Sequence, residues 1–177
     1  QIEIREPFHA RAILSEHRAA FVVEVHADET RRAADQILRV LYDATIQHLY
    51  NPGNRSTAEQ MVLLAVGGYG RGEMAPGSDV DIAFVTPYKP TAWTEQVIES
   101  MLYSLWDLGL KVGHSSRSVD EMIRMAKADL TVRTALLEAR YVWGDRDVYE
   151  EARARFSSEV VKDGARAFVA EKLAERD

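Results

Sequence analysis

Two aspartates separated by one residue are the side chains best placed to do chemistry. Asp79 and Asp81 begin the run DVDIAFVT (79–86), whose alternation and β-branched and aromatic residues predict a strand. Successive strand residues alternate faces and rise roughly 3.3 Å each, so both carboxylates point the same way with Cα atoms roughly 6.6–7 Å apart. A bound Mg²⁺ would remove their repulsion, because Mg²⁺ prefers carboxylate, water and phosphate oxygens. An isolated D-x-D equally fits a solvent-exposed strand face.

A glycine-rich turn precedes the aspartates. The apolar run MVLLAV (61–66) is predicted to be a buried strand. Its last two residues begin the glycine-rich segment AVGGYGRGEMAPGS (65–78). Gly67 and Gly68 lack Cβ atoms, so backbone N–H groups there can approach a phosphate, and Arg71 adds a charged donor. The glycines alone would also fit a connection that needs positive φ. Together with S-D-x-D, the arrangement favours a triphosphate held by one element and bridged to metal ions on the next.

The remaining pattern predicts an α+β or mixed α/β domain with a small sheet. Ser118 and Glu121 form a predicted capping box at the start of a helix that reaches Ala126. Five further elements are predicted, namely helices at 8–26, 28–50, 92–108 and 131–142, and a third strand at 110–116.

Composition limits the partners. The chain has 177 residues, 22 Lys+Arg against 28 Asp+Glu and a net charge of −6, which argues against nucleic acid as a general partner. No apolar run approaches the roughly 20 residues that span a membrane. The absence of cysteine excludes disulfides and thiolate metal sites and permits a cytoplasmic location. Both ends look cut, which leads us to expect a fragment of a longer protein.

The segment GGYGRGEMAPGSDVDIAF (67–84) resembles the nucleotidyltransferase motif of the polymerase-β superfamily. More narrowly, it is similar to the PII uridylyltransferases, the bifunctional enzymes of bacterial nitrogen regulation. The likeness continues through three further segments: LWDLGLKVGHSSRSVDE (105–121), DLTVRTALLEARYVWGD (129–145) and FVAEKLAERD (168–177).

The resemblance implies a polymerase-β-like nucleotidyltransferase fold, a small mixed sheet flanked by helices. Its parts would be an N-terminal helical region at 1–57, a nucleotidyltransferase core at 58–145 and the start of a C-terminal helical region at 146–177. The relatives continue into an HD phosphohydrolase domain and two ACT domains, for which this sequence has no counterpart.

The activity that the resemblance implies is transfer of UMP from UTP to a tyrosine hydroxyl of the PII signalling protein, with release of pyrophosphate. Catalysis would depend on a two-metal Mg²⁺ site. The implied site residues are Asp79 and Asp81 as catalytic metal ligands, Gly67 and Gly68 against the triphosphate, and Arg71 and Ser78 as supporting nucleotide contacts.

One position departs from the family pattern. Relatives carry a third acid where this sequence has Lys111. Either the lysine serves there, or Asp107 substitutes, or the metal site has two protein carboxylates only. Two other functions stay open. One is a related protein adenylyl- or nucleotidyltransferase, because no residue identifies uracil over adenine, and the other is a non-catalytic nucleotide-binding module that lost the third acid. Tyr69, inside the glycine turn, either stacks on a base or wedges the turn in place.

Overall fold

The computed structural model describes residues 27–51, 53, 56–75 and 77–162. The helix predicted at 8–26 and the segment 168–177 lie outside them. The helices are α1 (Ala27–Ala44), α2 (Gly67–Arg71), α3 (Ala92–Asp107), α4 (Val119–Ala128), α5 (Leu130–Leu137) and α6 (Arg146–Arg155), with π-helical turns at Thr45–Leu49 and Phe156–Lys162 and a 3₁₀ turn at Thr57–Glu59. The strands are β1 (Val62–Ala65), β2 (Val80–Thr86), β3 (Val112–Ser118) and β4 (Arg140–Gly144).

The four strands form one mixed sheet in the order β3-β2-β1-β4. β1 runs antiparallel to both of its neighbours, β2 and β4, whereas β2 and β3 are parallel. A parallel pair needs a long crossover, and α3 supplies it between β2 and β3. The predicted small mixed sheet flanked by helices is confirmed.

Strand alternation divides the core into two layers. On one face of β2, Val80, Ile82 and Phe84 pack in a cluster that includes apolar residues of α1 and α3. On the other face, Ala83 and Val85 pack with apolar residues of α4 and α6. Because Asp81 belongs to the same alternating set as Ala83 and Val85, its side chain is turned toward the α4 and α6 face.

The helix predicted at 131–142 is wrong in its second half. α5 ends at Leu137, and Arg140–Gly144 forms β4 instead. In a helix these residues would follow the apolar pattern of ALLEARYV, but as a strand they hydrogen-bond to β1 and bury Val142 completely. Tertiary pairing therefore overrides local helix preference.

Other boundaries agree more closely. The first two predicted strands match β1 and β2 to within one residue at each end, and the Ser118 hydroxyl accepts a hydrogen bond from the Glu121 amide (3.2 Å), as a helix N-cap does. The glycine-rich turn, which we did not predict to be helical, contains α2. Within the described part of the chain, no helix combines the length and apolar character needed to cross a membrane.

We predict that Leu63→Ala lowers the free energy of unfolding by about 2–5 kcal/mol, because Leu63 is fully buried in central strand β1. The matched control is Leu49→Ala, at a leucine that is 60% exposed, and we expect it to stay within about 0.5 kcal/mol of wild type. Urea unfolding followed by circular dichroism measures both. Equal effects at the two positions would contradict the assignment of the core.

Candidate active site

The two aspartates lie where β1, β2 and β3 come together. Asp81 is the second residue of β2 and is half-buried, while Asp79 directly precedes the strand and is exposed. The Asp81 carbonyl accepts a hydrogen bond from the Val66 amide (3.0 Å), and Asp81 pairs with Gly113 in the parallel ladder. The sheet therefore fixes the backbone of Asp81 on both sides.

Two glycines make room for the Asp81 carboxylate. A Cβ at Gly113 would overlap its Oδ1 atom, and a Cβ at Gly67 would lie 3.1 Å from its Oδ2 atom. Gly67 also has φ of +58°, which L side chains rarely adopt. Sequence reasoning identified Gly67 but missed Gly113, although a lone glycine inside a strand is itself a sign of close approach.

The helix α2 is short and closed at its C-terminal end by Gly72. Gly72 adopts a left-handed conformation with φ of +79°, and the Glu73 amide bonds back to the Gly68 carbonyl (2.9 Å). A Cβ at Gly68 would meet nothing closer than 3.5 Å. The backbone at Gly68 is therefore ordered, and a methyl group there would make only ordinary van der Waals contact.

Tyr69 is an anchor, not a stacking platform. Its ring is 1% exposed, its hydroxyl donates to Oδ1 of Asp35 (2.6 Å), and the Arg140 guanidinium lies 5.2 Å from the ring centroid. Burial, reinforced by the bond to Asp35, raises the pKa of Tyr69 far above its usual range. Base stacking by Tyr69 is excluded, because the ring is inside the core, and the wedge interpretation is confirmed.

The two supporting candidates are engaged locally. Arg71 pairs with Glu73 (2.8 Å) and Glu138 (2.6 Å), and these bonds raise the pKa of its guanidinium. Such partly exposed ion pairs contribute about 1 kcal/mol or less to stability, so a phosphate could replace the two carboxylates as the partner of Arg71. The Ser78 hydroxyl accepts from the Ala75 amide (2.9 Å), and its own hydrogen can still be donated.

Lys111 stands at the position where relatives carry a third acid, so there is no carboxylate at that position. Lys111 is exposed, and its carbonyl accepts from the Val80 amide (2.8 Å), so Lys111 extends the β2–β3 ladder beside Asp79. Asp107 ends α3, on the opposite face of the sheet from Asp81. His114 is also turned to that opposite face, 6.2 Å from Trp106 between ring centroids. The described residues contain no group of three His, Cys, Asp or Glu that could hold a metal ion.

A family model described as "Nucleotidyltransferase domain" matches residues 59–162. The match includes the strands, the glycine helix and both aspartates. This chain belongs to the nucleotidyltransferase domain family. The predicted divisions at residues 57 and 145 stay predictions.

Curated relatives show which kind of nucleotidyltransferase this chain resembles. The chain is 67% identical over 143 residues to a bifunctional uridylyltransferase/uridylyl-removing enzyme of Novosphingobium aromaticivorans, and 65% identical over 143 residues to that of Erythrobacter litoralis. It is 56% identical over 149 residues to that of Rhodospirillum rubrum. These alignments cover 81–84% of this chain but only 16% of each relative. The nucleotidyltransferase described here is thus similar to one part of much longer enzymes, and the resemblance found in the sequence is confirmed.

We predict that Gly70→Ala destabilises this nucleotidyltransferase domain by about 1–3 kcal/mol. An added Cβ would lie 2.6 Å from the Glu138 carbonyl and 2.9 Å from the Ala65 carbonyl, and both are backbone atoms that cannot rotate away. Gly68→Ala is the matched control in the same helix and should change stability by less than about 1 kcal/mol. Thermal unfolding compares them. A neutral Gly70→Ala would mean that α2 does not pack as described.

Proposed function

We propose that this domain transfers UMP from UTP to a tyrosine hydroxyl of a PII signalling protein and releases pyrophosphate. The observation that carries the proposal is that Asp81, on the strand that Asp79 directly precedes, lies against Gly67 at the start of the glycine helix α2. Support for uridylyl as the transferred group comes from the relatives, which are named uridylyltransferases. The reaction is proposed to take place in the cytoplasm, with neither nucleic acid nor membrane as a partner.

The residues fit a divalent metal. Carboxylate oxygens are suitable ligands for Mg²⁺. Because Gly113 has no side chain, the Asp81 carboxylate has the space that it occupies, whereas a Cβ at Gly113 would displace it. Asp79 and Asp81 would be the carboxylate ligands of the proposed two-metal site. When bound, Mg²⁺ supplies charge neutralisation on the phosphate oxygens.

The chain's own residues would bind and orient the nucleotide. Gly67 and Gly68, which have no side chains, would let the triphosphate approach the backbone. Arg71 would exchange its carboxylate partners for phosphate oxygens, and Ser78 would donate its hydroxyl hydrogen. The tyrosine oxygen would form a bond to the α-phosphorus as the bond to the leaving pyrophosphate breaks, and the hydroxyl proton would pass to solvent water. Positioning and charge neutralisation are the main contributions to such transfers.

A non-catalytic nucleotide-binding module is the second candidate. The observation in its favour is Lys111, because an ammonium group at this position can neither bind a cation nor act as a carboxylate base. This candidate shares nucleotide binding with the first, so only transfer separates them. A related nucleotidyltransferase that uses ATP is separated from both by the nucleotide that reacts.

The experiment is incubation of this chain with Mg²⁺, a purified PII protein and either UTP or ATP, followed by intact-mass analysis of PII. We expect a UMP-sized gain with UTP. Asp79→Asn and Asp81→Asn should each slow transfer on the order of 100-fold or more, because each removes charge that binds the metal. Asp107→Asn, the same substitution on the opposite face of the sheet, should transfer at the wild-type rate.

Other outcomes would redirect the assignment. An AMP-sized gain from ATP alone would refute uridylyl transfer and favour the adenylyl alternative. Binding of UTP without transfer, here and in a longer polypeptide of the same protein, would favour the non-catalytic module. Loss of transfer in Asp107→Asn would refute a site built on Asp79 and Asp81 alone.

Metal binding can be measured without turnover. We predict that Asp81→Asn and Gly113→Ala each weaken Mn²⁺ affinity about tenfold or more in electron paramagnetic resonance titrations, since one removes the ligand charge and the other displaces the ligand. Asp107→Asn is again the control and should bind like wild type. Unchanged affinity in Gly113→Ala would show that the space beside Gly113 does not matter to the metal.

A further inference from the structure

The glycine helix α2 cannot hold its own position. It has five residues, and isolated helices shorter than roughly 12–15 residues are marginal in water. Its place against Asp81 must therefore come from tertiary contacts. Gly67 lies close to Asp81, since a Cβ added there would come 3.1 Å from its Oδ2 atom, whereas Tyr69, two residues later, is buried on the other face of the sheet with α1.

Asp35 on α1 gathers those contacts. Its side chain is 8% exposed, and both oxygens are engaged. Oδ1 accepts from the Tyr69 hydroxyl (2.6 Å) and from Nη2 of Arg140 (3.0 Å). Oδ2 accepts from Nη1 of Arg140 (2.9 Å) and Nη1 of Arg31 (3.2 Å). A buried carboxylate with these partners ties α1, α2 and β4 together at one point.

Arg140 connects Asp35 to Tyr69 in a fixed geometry. Its guanidinium bonds Asp35 with two parallel N–H donors while it lies over the Tyr69 ring, and Nη2 also approaches the Tyr69 carbonyl (3.5 Å). Tyr69 is thus held at its hydroxyl, its ring and its backbone. Because Gly67 and Gly68 directly precede Tyr69 in the chain, the position of Tyr69 limits where Gly67 lies beside Asp81.

We propose that Asp35 is a positioning residue for nucleotide binding, which acts through Tyr69 and Arg140 to hold Gly67 and Gly68 beside Asp81. Asp35 lies before the matched family region, which begins at residue 59, so the family match assigns it no role. The inference rests on the proposed function, because it assigns the glycine pair to the nucleotide.

The first measurement needs no nucleotide. Hydrogen exchange of residues 67–73 is compared in wild type, Tyr69→Phe and Asp35→Asn. Tyr69→Phe removes only the hydroxyl that bonds Asp35, and loss of one hydrogen bond to a charged group should speed exchange about tenfold. Exchange in β1 and β2 should speed up less than exchange of residues 67–73, because the donors to Asp35 belong to α1, α2 and β4. The controls are Tyr88→Phe, at a tyrosine that is 61% exposed, and Asp147→Asn, at an exposed aspartate.

The second measurement separates positioning from general damage. UTP affinity with Mg²⁺ should fall about tenfold in Tyr69→Phe and at least as much in Asp35→Asn, following the same loss of one charged hydrogen bond. Mn²⁺ affinity without nucleotide should not change, because Asp79 and Asp81 belong to the β2 end of the sheet. A merely structural role would weaken both affinities together.

Three results would overturn the inference. Exchange of residues 67–73 could stay slow in both variants, which would show that Asp35 does not hold α2. Exchange could speed up without loss of UTP affinity, which would show that the held position does not serve the nucleotide. UTP and Mn²⁺ affinities could fall in parallel, which would indicate general damage. Failure of the wild-type chain to bind UTP would instead refute the proposed function, and the exchange rates would still show whether Asp35 holds α2.

Discussion

A buried carboxylate must be compensated, and in this domain that requirement joins distant parts of the chain. Asp35 is nearly inaccessible to solvent, so its charge is tolerable only with strong donors around it. The donors come from α1 itself, from α2 and from β4, and Arg140 is 105 residues away in sequence. Removing one donor leaves the buried carboxylate with too few hydrogen bonds, which weakens the hold of the remaining donors as well. The elements around the glycine helix are therefore held cooperatively.

A second constraint is steric and acts at Asp81. Parallel pairing of β2 with β3 brings Gly113 level with Asp81, and the chain reversal into α2 brings Gly67 to the other side of the same carboxylate. Side chains at either glycine would compete with the carboxylate for space. The sheet register thus explains the glycine at 113, and the turn into α2 explains the one at 67, although these positions are 46 residues apart in the printed sequence.

Local patterns predicted part of this arrangement. β1 and β2 were predicted closely because short apolar runs bounded by glycine and turn residues are strong signals, and strand alternation gives the face of Asp81. Asp79 directly precedes β2, so its predicted place on the same face stays a prediction. β4 was missed because Arg140–Gly144 becomes a strand only through pairing with β1. Asp35, Arg140 and Gly113 were missed for a related reason: their roles depend on partners brought near by tertiary structure, and no local periodicity records them.

The candidate active site begins where the helical cover of the sheet ends. Along β2, Ala83 and Val85 are buried beneath α4 and α6, whereas Asp81, on the same side, is only half-buried, and Asp79 is exposed. An apolar residue at position 81 would gain little from such partial cover, but a carboxylate keeps access to water and to a ligand while its backbone stays fixed in the ladder. The same strand therefore serves as core at one end and as a rigid support for charge at the other. Rigid support matters because charge-stabilising groups act best when they need no reorganisation as the reaction proceeds.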